Sequence, residues 1–358
     1  MRTAIAATDV VRADLSDILE RTRDLWEGLR GARILVTGGT GFVGGWLLAS
    51  LVDADARLGL GLRAVVTSRD PGLFRSSQPH LAAGPVELVA ADVRRPLPVA
   101  GGFDAVICAA APASAAFNSD SPRAMFETIV QGTANTLDAA APSGAVPFLL
   151  VSSGAVYGPQ PPGVTHLAED HLGGPDPMSP TAAYAEGKRA AETLCAAVGP
   201  GGPGVTVARC FSFVGPTLPV DRHFAIGNFL ADAVAGRPIE VGGDGTTIRS
   251  WMYTSDLTVW LWTILLRGAA GRPYNVGSED GTSIADAART LASLTPTPSP
   301  VVIRGNPAAD RGAPYYVPST RRAEEELGVH PTVPLSAALE RTLDWLQCGA
   351  HPLLGGHP

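Results

Sequence analysis

The chain has 358 residues and a net charge of −7, with 45% hydrophobic residues, 41 glycines and 31 prolines. The apolar fraction excludes a disordered chain, because such a chain lacks the apolar surface that offsets chain entropy. The negative charge disfavours nucleic acid as a partner, since phosphate backbones bind to basic surfaces. The length predicts two domains, or one large domain with a smaller lobe.

Residues 1–30 are predicted to be a helical extension on the outside of the main domain. Apolar residues recur at helical spacing over residues 15–29, and Gly31 follows as a stop. Acidic residues interrupt this segment, so it lacks the apolar core of a signal peptide. The most apolar run, residues 259–266, is far shorter than the roughly 20 residues that a membrane span needs. We therefore expect no membrane partner.

The cysteine pattern indicates the redox compartment. The four cysteines are far apart, with no C-x-x-C pair and no metal-binding spacing. Reduced thiols in a cytoplasmic protein without a metal site are the simplest interpretation. The cysteines are Cys108, Cys195, Cys210 and Cys348.

Strand and helix patterns alternate over residues 31–210. Helical patterns follow Gly44 and cover residues 121–140 and 181–197. This alternation predicts an α/β fold, a Rossmann-type doubly wound parallel sheet. After residue 210 short segments rich in proline and glycine predict a smaller C-terminal α/β lobe. The predicted strands cover residues 33–37, 62–67, 86–90, 105–109, 148–152 and 205–209.

A glycine-rich turn between the first strand and the following helix predicts a dinucleotide site. Gly38 allows the tight turn, Gly41 lets the backbone approach a pyrophosphate, and Gly44 allows close packing of helix and strand. The spacing is G-x-x-G-x-x-G, and a purely structural turn is the alternative. Phe42 and Val43 begin the helix, whose free N–H groups favour an anion, so they are included among the expected cofactor contacts.

The end of the second strand indicates which nicotinamide cofactor binds. An acidic residue there bonds the ribose hydroxyls of NAD, but this chain has Ser68 followed by Arg69. A guanidinium beside a hydroxyl suits the 2′-phosphate of NADP, so the prediction favours NADP over NAD. The alternative is a solvated Arg69 with Asp70 on the ribose.

Two later strand ends are expected to line the same cofactor. Asp92, with Val93 beside it, follows the third strand and is predicted to meet the adenine amino group. The small residues that follow the fourth strand leave room for the cofactor. These are Ala109, Ala110 and Ala111.

Three further residues suggest proton transfer coupled to hydride transfer. Tyr184 and Lys188 lie one helical turn apart on one face, where an ammonium stabilises a phenolate. Ser153, at the end of the fifth strand, is the predicted holder of the substrate oxygen. Each feature alone has an ordinary structural explanation, but their order behind the glycine turn indicates a catalytic set.

These motifs together resemble the extended short-chain dehydrogenase/reductase family, in its nucleotide-sugar epimerase and dehydratase group. The resemblance covers about residues 32–345 and rests on motifs from both parts of the chain. The motifs are residues 37–44, 91–93, 152–158, 184–188, 208–216, 242–249, Asp256, 274–277 and Arg311.

The resemblance implies domain boundaries, a ligand and an assembly. Residues 31–210, with 246–277 returning to them, would form the Rossmann domain, and residues 211–245 and 278–350 the lobe that binds a nucleotide-diphosphate sugar. A homodimer is expected. By position, Arg249 and Arg311 would grip the diphosphate. Phe224, Asn228 and Val241 would line the nucleotide and sugar pocket.

Departures from the family pattern narrow the activity. The 4,6-dehydratases of the family carry Asp-Glu directly after the catalytic Ser or Thr, and its decarboxylases usually carry a Glu there. This chain has Gly154 and Ala155, which cannot transfer a proton. The pattern therefore favours an epimerase that oxidises and reduces C4 of the sugar. An NADPH-dependent keto-sugar reductase is the alternative, and a 4,6-dehydratase or a non-catalytic cofactor-binding protein is less expected.

Overall fold

The computed structural model describes residues 7–112, 115–220, 224–295, 299–305 and 314–348. The strands are β1 (Arg33–Thr37), β2 (Arg63–Ser68), β3 (Val86–Ala90), β4 (Ala105–Cys108), β5 (Pro147–Ser153), β6 (Gly204–Cys210), β7 (Phe213–Val214), β8 (Ile239–Val241), β9 (Ile248–Arg249), β10 (Met252–Tyr253), β11 (Pro273–Val276), β12 (Thr282–Ser283), β13 (Val301–Ile303) and β14 (Tyr315–Tyr316).

Helices surround these strands. They are α1 (Ala7–Trp26), α2 (Phe42–Leu58), α3 (Pro71–Ser77), α4 (Pro79–Ala82), α5 (Ala115–Asp120), α6 (Pro122–Ala140), α7 (Ala183–Ala196), α8 (Ala225–Val234), α9 (Thr254–Arg267), α10 (Ile284–Leu294), α11 (Arg321–Leu327) and α12 (Leu335–Gln347).

Seven parallel strands form the main sheet, in the order β11-β6-β5-β4-β1-β2-β3. Successive side chains of a strand point to opposite faces, and β1 shows this clearly. Ile34 and Val36 join the apolar core that contains α2 and α9, whereas Leu35 joins the core that contains α6 and α7. Both faces are therefore covered by helices, and the predicted doubly wound parallel sheet is confirmed.

The six predicted strands all lie in this sheet, with small differences at their ends. The second strand runs one residue later than predicted, and the fifth extends at both ends, from Pro147 to Ser153. The seventh strand, β11, pairs with β6 at the edge of the sheet. Strand β11 follows α9 in the chain, and α9 is buried except at its C-terminal end.

The first helix begins earlier and ends earlier than the pattern over residues 15–29 predicted. It covers Ala7–Trp26, and residues 27–29 form a 3-10 turn. It packs against α9, α2 and α12 as a further layer outside the sheet's helices. Trp26 is buried there, with its ring centroid 4.7 Å from that of Trp262.

The C-terminal lobe has its own apolar core, built mainly from α8, α10 and α12 with β8. The segment 246–277 divides between the two parts of the molecule. Strand β11 belongs to the main sheet, and helix α9 packs on that sheet. Strand β9 instead joins β12 and β14 in a separate three-stranded sheet. That small sheet lies at the candidate site.

Among the described residues, no helix is long and apolar enough to cross a membrane. All four cysteines are free thiols.

Candidate functional site

The glycine turn brings β1, α2 and β4 into close contact. Gly38 has a φ of +75°, and a Cβ there would lie 2.5 Å from the carbonyl carbon of Ala109 and 2.6 Å from the amide nitrogen of Ala110. A Cβ at Gly44 would lie 2.2 Å from the Gly38 carbonyl oxygen. These two glycines are therefore required by the packing of the turn itself.

The N-terminus of α2 faces open space on its other side. Gly41 is exposed, and a Cβ there would meet only the Gly38 oxygen, at 3.4 Å. The first N–H groups of an α-helix have no acceptor within the helix, and this applies to Phe42, Val43 and Gly44. An open approach, free donors and the positive end of the helix dipole fit the pyrophosphate of a dinucleotide.

At the end of β2, two of the three candidate ribose-binding residues already have partners. Ser68 is buried, and its Oγ accepts a hydrogen bond of 3.2 Å from the backbone N–H of Asp70. Asp70 Oδ1 accepts one of 2.9 Å from the Leu73 N–H and so caps α3. Arg69 is exposed. This arrangement leaves the guanidinium of Arg69 accessible to a phosphate.

Asp92 has a strong local partner, which the sequence did not predict. Arg94 Nε lies 3.0 Å from both carboxylate oxygens of Asp92. The hydrogen bonds from Arg94 lower the pKa of Asp92 to about 2. The carbonyl oxygen of Val93 accepts a hydrogen bond of 2.7 Å from Asn135 Nδ2, which holds this loop against α6. An adenine amino group would have to share the Asp92 carboxylate with Arg94.

The two serines at the end of β5 face opposite sides of the sheet. Ser152 Oγ donates to Glu192 at 2.6 Å, and Glu192 is itself paired with Arg209 at 2.7 Å. Ser153 Oγ accepts a hydrogen bond of 3.2 Å from the Ala155 N–H. Ser153 therefore lies toward the candidate site, and Ser152 is tied into a structural network.

Helix α7 presents the tyrosine and the lysine to this serine. Lys188 is buried, and its Nζ donates a hydrogen bond of 2.6 Å to the Val151 carbonyl oxygen on β5. The same Nζ lies 5.9 Å from the ring centroid of Tyr184. Asn118 Oδ1 accepts a hydrogen bond of 3.0 Å from the Tyr184 N–H, which fixes the start of the helix. The structure thus brings the three predicted catalytic residues to one place.

Two aromatic rings cover Gly154, beside Ser153. A Cβ at this glycine would lie 2.7 Å from Cε2 and Cζ of Phe211 and 2.8 Å from Oη of Tyr316. The rings of Phe211 and Tyr316 have centroids 4.7 Å apart. The space that a side chain at position 154 would need is therefore filled by aromatic groups.

The predicted substrate residues lie in the lobe and beside the small sheet. Asn228 and Val241 line a cavity of about 300 Å³ between α8 and the loop after β8. Phe224 directly precedes α8 and is exposed. Arg249 is half-buried on β9, with its Cζ 5.1 Å from the ring centroid of Tyr316. Arg311 lies outside the described residues.

A larger cavity, of about 820 Å³, lies on the other side of α7 and contains none of the predicted site residues. Its lining includes Arg189, Glu192 and Arg209. Among the described residues, no group of three or more His, Cys, Asp or Glu side chains could hold a metal ion.

Three site residues were missed by sequence reasoning: Asn118, Phe211 and Tyr316. Phe211 directly follows the sixth strand, where parallel strands place their functional residues, and this was an available signal. Asn118 and Tyr316 come from a short helix and a two-residue strand that have no periodic pattern.

Comparison with known proteins agrees with this geometry. A model of the NAD dependent epimerase/dehydratase family matches residues 34–277. UDP-glucuronic acid decarboxylase 1 of Danio rerio is 32% identical over 314 residues, which cover 87% of this chain and 72% of that protein.

Two solved structures show the same fold and carry different cofactors. RMD from Pseudomonas aeruginosa, complexed with NADPH, is 26% identical with a TM-score of 0.68, over 88% of this chain and 98% of that chain. The dTDP-glucose 4,6-dehydratase DesIV from Streptomyces venezuelae, with NAD bound, is 24% identical with a TM-score of 0.73, over 88% of this chain and 97% of that chain. The protein therefore belongs to the NAD dependent epimerase/dehydratase family of nucleotide-sugar enzymes, in the extended short-chain dehydrogenase/reductase group that its motifs predicted.

Proposed function

We propose that the protein is a nucleotide-diphosphate-sugar epimerase that works through transient oxidation, most simply at C4 of the sugar. The observation that carries this proposal is the surroundings of Gly154. Position 154, next to Ser153, is a glycine and has no acidic side chain. Phe211 and Tyr316 occupy the space that a carboxylic acid at this position would need. Ser153, Tyr184 and Lys188 are nevertheless all present, and Lys188 contacts both the Tyr184 ring and the backbone of β5.

In this mechanism Tyr184 moves the proton. Its phenolate, stabilised by the ammonium of Lys188, takes the proton of the sugar hydroxyl and later returns it. Ser153 donates a hydrogen bond to the reacting oxygen and holds it beside Tyr184. A nicotinamide dinucleotide, with its pyrophosphate held at the glycine turn, would supply reversible hydride acceptance. The keto-sugar rotates in the pocket before it is reduced on its other face.

The alternatives within the family need an additional acid or base. Dehydration across C5 and C6 uses the Asp-Glu pair that the resemblance associates with dehydratases, and decarboxylases usually carry a Glu there. Gly154 and Ala155 offer neither group. The 32% identity to UDP-glucuronic acid decarboxylase nevertheless makes UDP-glucuronic acid the essential comparison substrate.

The test uses the full chain with its bound cofactor and a panel of nucleotide-diphosphate hexoses, pentoses and uronic acids, with products identified by NMR. An epimerase is expected to produce the C4 epimer without net NAD(P)H turnover. A pentose formed from UDP-glucuronic acid would overturn the proposal in favour of decarboxylation. Absence of any interconversion would overturn it as well.

The second candidate is an NADPH-dependent reductase of a nucleotide-diphosphate keto-sugar. It is favoured by the exposed Arg69 beside Ser68, which suits a 2′-phosphate. Cofactor retention separates the two candidates. An epimerase keeps its cofactor through purification, whereas a reductase releases it and consumes NADPH stoichiometrically. Replacing Arg69 with Ala is expected to weaken NADPH binding far more than NADH binding.

A further inference from the structure

The last three residues of β5 make three different kinds of contact. The Val151 carbonyl oxygen accepts a hydrogen bond of 2.6 Å from Lys188 Nζ. The Ser152 hydroxyl donates one of 2.6 Å to Glu192 Oε1. Ser153 carries the hydroxyl that is predicted to hold the substrate oxygen. Two of three consecutive residues therefore attach β5 to α7, and the third belongs to the reacting set.

The two attachment points on α7 lie in line with Tyr184. Tyr184, Lys188 and Glu192 are spaced by four residues, so they follow one another along one face of the helix. Attachment at two successive turns restricts both the rotation of the helix about its axis and its shift along the sheet. The position of Tyr184 relative to Ser153 therefore depends on both attachments.

Glu192 is also held by an arginine from the neighbouring strand. Arg209 on β6 is the register partner of Ser152 on β5. Its Nη2 lies 2.7 Å from Glu192 Oε2, and its Nε lies 3.1 Å from Glu192 Oε1. Contacts to both carboxylate oxygens fix the plane of the carboxylate as well as its distance. Glu192 therefore joins two adjacent strands to α7 at the end of the sheet where Ser153 lies.

Arg209 is itself held in place by further hydrogen bonds. Its Nη1 donates to the Tyr157 hydroxyl at 3.0 Å and to the Glu169 carbonyl oxygen at 3.1 Å. The Tyr157 hydroxyl donates in turn to Asn275 Oδ1 on β11, at 2.7 Å. The network thus includes side chains from three neighbouring strands, β5, β6 and β11, and it reaches α7 through Glu192.

The burial of the ion pair favours a geometric role over a stabilising one. The side chains of Arg209 and Glu192 are each only 15% exposed. Removing two charges from water costs free energy that offsets much of their attraction, so such a pair adds little net stability. A connected set of directed hydrogen bonds nevertheless favours one register between the groups that it joins. Here those groups are α7 and the ends of the strands.

On the basis of the proposed function, we propose that Glu192 is a positioning residue. Its carboxylate, oriented by Arg209, accepts the Ser152 hydrogen bond and so fixes α7 against the end of β5. This attachment sets the distance between the Tyr184 phenol and the Ser153 hydroxyl, which act on the same oxygen of the sugar. Glu192 acts through these two residues and transfers no proton itself.

The test removes the Ser152 hydroxyl in the full-length holoenzyme and leaves Glu192 paired with Arg209. For Ser152→Ala we expect kcat to fall about tenfold, because a misplaced reacting group slows the chemical step, while KM for the nucleotide sugar stays almost unchanged. Thr193→Ala is the matched control and should match the wild type. Thr193 is the exposed neighbour of Glu192, and its hydroxyl donates to the Arg189 carbonyl oxygen of the same helix.

A double variant separates positioning from a general weakening of the fold. If the attachment serves the alignment of Ser153 with Tyr184, then adding Ser152→Ala to Ser153→Ala should lower kcat by less than about twofold. Rates are referred to the folded fraction, measured by circular dichroism. An unchanged kcat in Ser152→Ala overturns the inference, and so does a rise in KM without a fall in kcat. A full tenfold further loss in the double variant overturns it as well.

Failure of the proposed function is distinguishable from failure of this inference. The proposed function requires a C4 epimer, whereas the inference applies to any hydride transfer that uses Ser153, Tyr184 and Lys188. The wild type could form no epimer from UDP-glucose or UDP-glucuronic acid and still reduce its bound nicotinamide as the sugar hydroxyl is oxidised to a ketone. The proposed function then fails, and the same variants are compared by the rate of that reduction. An equal rate in the wild type and Ser152→Ala overturns the inference, as does a wild type that reduces no nicotinamide with either sugar.

Discussion

The two ends of the candidate site are built in different ways. At the cofactor end, the residues come from short continuous segments: Gly38 to Gly44 in one turn, and Tyr184 with Lys188 in one helical turn. At the sugar end, neighbouring side chains come from distant parts of the chain. These are Ser153, Gly154, Phe211, Arg249 and Tyr316.

The cofactor end serves hydride transfer, which does not depend on the sugar, whereas the sugar end determines how the sugar is bound. The cofactor end depends on backbone geometry, since Gly38 and Gly44 are required by contacts with main-chain atoms. The sugar end depends on side chains from separate strands, and two of them, Arg249 and Tyr316, meet because β9 and β14 pair in one register. Substitution at the first end is expected to abolish hydride-transfer chemistry, whereas substitution at the second changes substrate handling.

The largest expected effect is that of Tyr184→Phe. Removing the only hydrogen that this side chain can exchange should lower the epimerisation rate about 1,000-fold, because a positioned acid–base group contributes 10²–10⁴-fold. Cofactor content and the Kd for the nucleotide sugar should change little, since the ring and Lys188 remain. Steady-state rates and calorimetry measure these quantities.

The control for this substitution is Tyr315→Phe, which should leave the rate unchanged. A Tyr184→Phe variant that keeps more than a tenth of the activity would contradict the assigned role.

The same difference explains how much could be predicted from sequence. The parallel sheet and the glycine turn follow from apolar patterns and from glycines at fixed spacing, and the sheet is confirmed. Ser153 was already preferred over Ser152 from the sequence, and the contact of Ser152 with Glu192, which engages that serine elsewhere, came only from the structure. Tyr316 could not be identified, because no local pattern records the pairing of two short strands that lie far apart in the chain.

The N-terminal helix α1 contacts both β10 and α12 through one buried carboxyl group. Asp14 accepts a hydrogen bond of 2.6 Å from the Tyr253 hydroxyl, just before α9, and lies 3.2 Å from Arg341 on α12. Burial raises the pKa of Asp14 from 3.8 to about 7, although Tyr253 and Arg341 oppose the shift. Neither contact is visible in the sequence, because each joins residues more than 200 positions apart.

The second prediction concerns the pH dependence of stability. Because the folded-state pKa of Asp14 is raised, the folded protein retains a proton that the unfolded chain releases, so the free energy of unfolding falls as pH rises from about 4 to about 7. This group should account for a fall of about 2 kcal/mol between pH 5 and pH 7. Asp14→Asn cannot release a proton there and should lose this part of the slope.

Denaturant unfolding at several pH values measures the effect. Asp9→Asn is the control, because Asp9 is an exposed residue of the same helix in a surface pair with Arg12. If Asp14→Asn shows the same pH slope as the wild type, Asp14 does not carry the linkage, and the attachment of α1 to the lobe is insensitive to pH.

The smallest of these effects, and the one that addresses the sugar end directly, is that of Arg249→Lys. A lysine keeps the positive charge but loses the planar fork that binds phosphate through two hydrogen bonds and contacts the Tyr316 ring. We expect KM for the nucleotide sugar to rise about tenfold, which corresponds to about 1.4 kcal/mol.

Arg289→Lys, at an exposed position paired with Asp286, should leave KM unchanged. A rise in KM alone would place Arg249 on the diphosphate, whereas an additional fall in kcat would show that its contact with the Tyr316 ring also affects the reaction. An unchanged KM would mean that the diphosphate is held elsewhere and that Arg249 serves only the ring.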